Sequence, residues 1–169
     1  MAYQKLQVSE ALAVIPSNTV AIPDPSTKVL SGTADFSVGG TLTDVGTTFL
    51  TDGIQIMSPG PAIVYNTTAG IAYYVTEVTD DLNIALYPGS AGGATDDYVI
   101  YNAATIGCVL FVGGAGDIKV VMAGNNKTTL FGSVDGRAFK GIGAGAFLPI
   151  QVIGVLGNGT SATDIVALW

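Results

Sequence analysis

The stretch Gly143–Trp169, GAGAFLPIQVIGVLGNGTSATDIVALW, decides how this chain is read. Phe147 to Leu156 is an apolar run interrupted only by Gln151 and Gly154. Gly157-Asn158-Gly159 is turn chemistry, because glycine and asparagine tolerate the backbone conformations that tight turns need. Ile165 to Trp169 is a second apolar run, and it ends on the only tryptophan. The expectation is two strands joined by a turn, a closing hairpin. A segment this hydrophobic would fray and aggregate if exposed. It is therefore expected to be buried, either in the chain's own core or against another subunit. Phe147, Leu148, Ile150 and Trp169 are the candidates for that core or assembly interface.

Working outward, the preceding residues continue in the same style. Gly107 to Val112 and Ile118 to Met122 read as strands, with Gly113-Gly114-Ala115-Gly116-Asp117 as a loop between them. Ala123-Gly124-Asn125-Asn126 reads as a hairpin turn returning through Thr128 to Phe131. At the other end, Leu6 to Ser9 is a short strand candidate. Glu10 to Ile15 suits a helical turn, a buried strand or an extended arm. Pro23-Asp24-Pro25-Ser26 must be a turn or linker, since prolines flanking an aspartate interrupt any regular element.

Residues 31–102 differ in charge. They hold eight acids (Asp35, Asp44, Asp52, Glu77, Asp80, Asp81, Asp96, Asp97) and no lysine or arginine. Elsewhere five acids face six bases, so the chain's net charge of −7 comes from this middle segment. Such asymmetry suggests a second module. Ile71 to Val78 is β-branched and aromatic, and Asp80-Asp81 turns it into the alternating run Leu82 to Leu86, a hairpin pattern. Ala62 to Tyr65 precedes it through the turn Asn66–Gly70, and Tyr98 to Tyr101 closes the set. Short strands at turn spacings near ten residues suit a small barrel. Helix formers are scarce, and the 23 glycines of 169 residues, against about 7% on average, fall between strand candidates. The chain is expected to be all-β: a β-sandwich or barrel base module, residues 1–30 and 103–169, interrupted by a small inserted β-barrel-like module, residues 31–102.

Composition narrows the function classes. Charged residues are 11%, against about 25% in typical soluble domains, while hydrophobic residues are 49%. No run approaches the roughly 18–20 apolar residues of a spanning helix, so no membrane partner is expected. Met1 to Lys5 lacks the pattern of a secretory signal. A chain so poor in charge is expected to hide surface in an assembly. Its net charge argues against nucleic acid, which needs cationic surface. There are no histidines, which excludes histidine triads, histidine zinc sites and Cys–His dyads. The single cysteine, Cys108, lies among Ile106, Val109, Leu110 and Phe111 and reads as a core residue rather than a reactive thiol.

The remaining chemical signals are weak. The glycine clusters at 113–116 and 141–145 lack P-loop spacing and open no helix, so they read as turns. Asp80-Asp81 and Asp96-Asp97 would make a weak Ca²⁺ site only if both pairs met at one end of the barrel. The triplets at Asn66, Asn126 and Asn158 match the glycosylation pattern but read as turns. Six of the seven tyrosines fall in the middle segment. Tyrosine suits cores, interfaces and sugar platforms alike. Tyr73 and Tyr74 are the candidates for an outward aromatic face. No catalytic, cofactor-binding or metal-ligating residue is assigned, no cofactor is expected, and the chain is not read as an enzyme.

One resemblance is carried by particular residues. Gly107-Cys108-Val109-Leu110-Phe111-Val112-Gly113-Gly114-Ala115-Gly116-Asp117-Ile118-Lys119-Val120, the strand Gly145 to Val152 and above all Ala162-Thr163-Asp164-Ile165-Val166-Ala167-Leu168-Trp169 resemble the head spike base proteins of tailed phages and gene transfer agents. The middle segment is similar to small barrel-like inserts of phage virion proteins, through Asp44 to Phe49, Val64 to Gly70 and Tyr98 to Tyr101. It departs from them at Met57 to Ala62, where Pro-Gly-Asp would be expected, and the typical spike base protein lacks such an insert. The resemblance implies a non-enzymatic virion structural protein on the capsid exterior, assembled in the host bacterial cytoplasm. It would be a decoration (cement) subunit or the base of a head spike. Its implied partners are copies of itself in a trimer or pentamer, the major capsid protein, and a fibre or spike protein. The alternative expectation is a glycan-binding module of a phage tail or fibre, using Tyr73 and Tyr74.

Overall fold

The computed structural model describes residues 8–56, 61–89, 91–124 and 136–169. The chain is all-β. In order, its strands are β1 (Ala11–Ala13), β2 (Lys28–Ala34), β3 (Thr41–Thr43), β4 (Ile63–Asn66), β5 (Ile71–Val78) and β6 (Asn83–Tyr87), followed by β7 (Asp96–Tyr101), β8 (Cys108–Gly114), β9 (Gly116–Met122), β10 (Arg137–Ile142), β11 (Ala146–Val155) and β12 (Thr163–Leu168). The strands make two six-stranded antiparallel sheets, in the orders β1-β12-β8-β11-β9-β10 and β2-β7-β4-β5-β6-β3. A 3-10 turn, Pro25–Thr27, lies on the passage between them, capped by the Asp24 carboxylate, which accepts from the Ser26 amide.

The first sheet draws on both ends of the chain. Its core is aliphatic: Leu110, Val112, Ile118, Val120, Val152 and Ala167 are fully enclosed. Val14, Ile22, Leu148 and Ile165 complete it. The sheet folds over this core because β11 changes partner half-way. Ala146–Leu148 pair with β8. Gly154 and Val155 pair with β9, and Val152 faces both neighbours. Pro149 sits where the register shifts, and a residue without an N–H is tolerated at such a break in the ladder.

The closing segment is not a hairpin. β8 lies between β11 and β12, with Leu110 opposite Leu148 on one side and Ala167 on the other. The Gly157–Gly159 turn leads the chain along the start of β9 before β12 begins. There the amides of Ser161 and Ala162 donate to the Asp117 carbonyl at 2.8 and 3.0 Å, and the Lys119 amide donates to Thr160 Oγ1. Two apolar runs flanking a turn suit a hairpin, but the apolar strand β8 takes the place between them.

The same crossing explains the glycines at 113–116. They are not a loop. β8 runs through Gly114, β9 starts at Gly116, and only Ala115 separates the two. A Cβ on Gly116 would stand 2.5 Å from the Ala162 amide nitrogen, and one on Gly113 would stand 2.8 Å from Asp164 Cβ. Glycine is needed because the backbone entering β12 passes directly over them.

The second sheet runs from β2 to β7, so it begins at Lys28, three residues before the boundary that charge suggests. It curls on itself. Asp35, just beyond β2, exchanges backbone hydrogen bonds of 2.8 and 2.9 Å with Thr43 of β3 at the opposite edge. Phe36, Leu42, Phe49, Val64, Tyr73, Ile84, Tyr98 and Ile100 fill the interior, with Phe36 stacked on Tyr73 at 5.8 Å. The outer side of this sheet is also covered. Ile63, Tyr65, Ala72, Tyr74 and Tyr101 pack with Val20, Ala21, Val121 and Leu156, joining the two sheets through a third cluster. All four residues of β4 are buried as a result.

Candidate functional site

The four terminal candidates divide. Leu148 belongs to the core of the first sheet. Ile150 and Trp169 are half-buried against that same core. Trp169 is tied within its own chain. Its indole N–H donates to Thr105 Oγ1 at 3.0 Å, its amide donates to the Glu10 carbonyl, and its carbonyl accepts from the Ser9 amide. Phe147 alone points away from the core, 42% exposed.

Phe147 has company that the sequence reading did not single out. Its direct partner across the strands is Phe111, 36% exposed. Phe111 faces Val166 on its other side, and Val166 faces Ala13. Side chains alternate along a strand. The neighbours Leu110, Val112, Leu148, Ile165 and Ala167 point into the core, so Ala13, Val166, Phe111 and Phe147 form one row on the outer face. A second row two residues along, Ala11, Leu168 and Val109, is apolar as well. The signal was present in the sequence: Val109-Leu110-Phe111-Val112 does not alternate, the pattern of a strand apolar on both faces.

The outward aromatic face at Tyr73 and Tyr74 is overturned. Tyr73 is fully buried among the second sheet's interior residues. Tyr74 points to the other side, into the contact between the sheets, where its hydroxyl accepts from the Ala21 amide at 3.0 Å. A strand enclosed on both faces presents no aromatic surface to a ligand, whichever way a tyrosine points. Burial raises the phenol pKa of Tyr65, Tyr74, Tyr98 and Tyr101, and for Tyr98 the adjoining Asp44 carboxylate adds to the effect.

The acidic pairs do not meet: Asp80-Asp81 lie in the bend between β5 and β6, and Asp96-Asp97 lie in β7. Asp80 stands beyond the end of β5, while Asp96 begins β7 beside the end of β4, at the opposite end of the barrel. Asp80 Oδ1 accepts from the Leu82 amide at 2.8 Å and from Asn83 Nδ2 at 2.9 Å, which lowers its pKa. Asp96 is buried, and its Oδ2 accepts from Asn66 Nδ2 and from the Gly93 amide, each at 2.7 Å. Asn66 is itself fully buried with its amide engaged, which explains the Asn-Thr-Thr triplet as a turn. A second buried carboxylate, Asp44, accepts from the Tyr98 hydroxyl at 2.7 Å and from the Gly46 amide at 2.7 Å. Among the described residues no group of three or more His, Cys, Asp or Glu side chains is placed to hold a metal ion.

Cys108 lies in the core, where its thiol points at the Val152 carbonyl and burial pushes its pKa up to about 12. The hairpin turn at Ala123–Asn126, the strand Thr128–Phe131, the start of the Leu6–Ser9 strand and the triplet at Asn126 lie wholly or partly outside the described residues. Compared with family models, curated proteins and solved structures, the chain matches none.

Proposed function

We propose that this chain is a non-enzymatic structural protein of a phage virion, on the outside of the head, acting as a decoration subunit or as the base of a head spike. The observation that carries the assembly part of this reading is the apolar row Ala13, Val166, Phe111 and Phe147 on the outer face of the first sheet. Contiguous apolar surface on an otherwise well-packed protein marks an interaction site. Only 11% of the residues are charged, which further favours burial of surface between subunits. The phage part rests on the resemblance of Gly107–Val120 and Ala162–Trp169 to head spike base proteins. In this reading copies of the chain assemble as a trimer or pentamer and contact the major capsid protein. The acidic second sheet projects outward, toward a fibre or spike protein. Tyr73 and Tyr74 are both buried, so neither offers a glycan-binding module its aromatic face.

The test is the copy number of the protein in purified virions, read from quantified gel bands. Low, vertex-type numbers identify a spike base, and lattice-scale numbers identify a decoration subunit. Absence of the protein from purified virions overturns the reading.

A further inference from the structure

We infer that the outer face of the first sheet pairs with the same face of a second copy, around a two-fold axis running parallel to the strands. This rests on the proposal that the chain assembles with itself, and it names the contact. The row Ala13, Val166, Phe111, Phe147 is graded from small to large across β1, β12, β8 and β11. A two-fold axis along the strands reverses the row. Ala13 then meets Phe147 of the partner copy, and Val166 meets its Phe111. Large opposes small at every position, the condition for facing layers to interdigitate without voids. In the second row Leu168 meets Val109, both apolar. Two sheets stacked face to face with aligned strands, about 10 Å apart, is a standard packing of β layers.

Charge and size agree with a second copy as the occupant. Copies carrying −7 repel one another, so a self-contact belongs where no charge is present, and neither row contains an ionisable side chain. Four strands about 4.8 Å apart, taken over two rows, cover on the order of 300 Å². That is the size of the apolar centre of an interface whose full extent, with a polar rim, is about 800 Å² per partner. Val166, Phe111 and Phe147 lie on strands flanked by others on both sides, so little freedom is lost on pairing. The contact joins copies in twos: a dimer, or two rings back to back.

Native mass spectrometry and sedimentation of the whole chain test this. Wild type should form even-numbered assemblies. Phe147→Asp and Phe111→Asp, at exposed positions, should keep the circular dichroism of the wild type and weaken pairing by at least about 100-fold, as charges placed at the centre of an interface. Ala13→Phe should weaken pairing by setting two large side chains against each other. Ala13→Phe combined with Phe147→Ala should restore it, because the exchange recovers large against small. If wild type assembles and the aspartate variants assemble equally well, the face is wrong while self-assembly stands. If the exchange double variant fails to recover pairing although it is folded, the two-fold arrangement is wrong. Wild type that stays monomeric at high micromolar concentration overturns both the face and the self-assembly reading beneath it.

Discussion

Replacing Tyr98 by phenylalanine deletes one oxygen from the interior of the second sheet. That oxygen donates to Asp44 Oδ2 at 2.7 Å, and both residues are buried. The Gly32 backbone closes over the pair, since even a Cβ there would stand 3.0 Å from Asp44 Oδ2 and 3.3 Å from the Tyr98 ring. Without the hydroxyl, Asp44 keeps only the Gly46 amide, on its other oxygen. Hydrogen bonds to charged partners contribute about 1.5–3 kcal/mol, and leaving a buried acceptor unsatisfied has a similar cost. The expected loss for Tyr98→Phe is about 2 kcal/mol, equivalent to a fall in Tm of about 4–8 °C for a chain of this size. Urea unfolding followed by near-ultraviolet circular dichroism measures it. In an Asp44→Ala background the same substitution should cost at least about 1 kcal/mol less, because the partner is already gone. A loss below about 0.5 kcal/mol, or an equal loss with and without Asp44, would refute the assignment of this pair as a stabilising contact.

Further predictions rest on other parts of the fold. Trp169 reports on the first sheet and most tyrosines on the second, so tryptophan fluorescence and tyrosine circular dichroism should give coincident unfolding curves; Leu156→Ala, which opens the cluster between the sheets, should cost about 2–5 kcal/mol and separate them. Gly93→Ala should destabilise by about 1–3 kcal/mol, measured by chemical denaturation, because the new methyl would collide with the Asp96 carboxylate that the Gly93 amide itself binds. Cys108 should resist iodoacetamide at pH 8 in the native protein and react fully in urea, read by intact mass; rapid native labelling would place the thiol outside the core. Raised phenol pKa values mean that the fold disfavours tyrosinate. The stability they contribute is fully present below the free phenol value of about 10 and is lost as pH rises through the elevated folded values. Ultraviolet titration should therefore show Tyr65, Tyr74, Tyr98 and Tyr101 ionising only as the chain unfolds in alkali.

The fold class was legible because strand chemistry is local. β-Branched runs, acidic turns and glycine punctuation predict most of the strands, including the pairing of β5 with β6 through Asp80-Asp81. Pairing partners distant in sequence were not legible. Nothing local to Phe147–Trp169 tells that β8, some forty residues earlier, enters between the two runs. The glycines at 113 to 116 were misread for the same reason, since their cause is a backbone crossing from residues 161–164. The tyrosines failed through a wrong assumption about layers. A tyrosine on β5 can face outward only if one side of the sheet is wet, whereas the neighbouring β4 is buried at all four residues, the mark of a strand enclosed on both sides.

That error also shows where a surface can be sought. Tyr87 at the end of β6 apart, the exposed large apolar residues of the described chain fall into two kinds. Val38, Val45, Leu50, Leu82 and Ile106 sit outside the strands, and such scattered residues need no special account. Phe111 and Phe147 differ, because they are opposed in strand register and continue into Val166 and Ala13. Position in register fixes their spacing to the strand repeat, so their arrangement is as rigid as the sheet. A loop residue must be ordered when it is buried against a partner, at a cost of about 1 kcal/mol of conformational entropy per residue. Residues in the row have already met that cost on folding. For equal apolar area the row is therefore the stronger docking surface, and substitutions at Val45 or Ile106 should leave assembly unchanged where Phe147→Asp abolishes it.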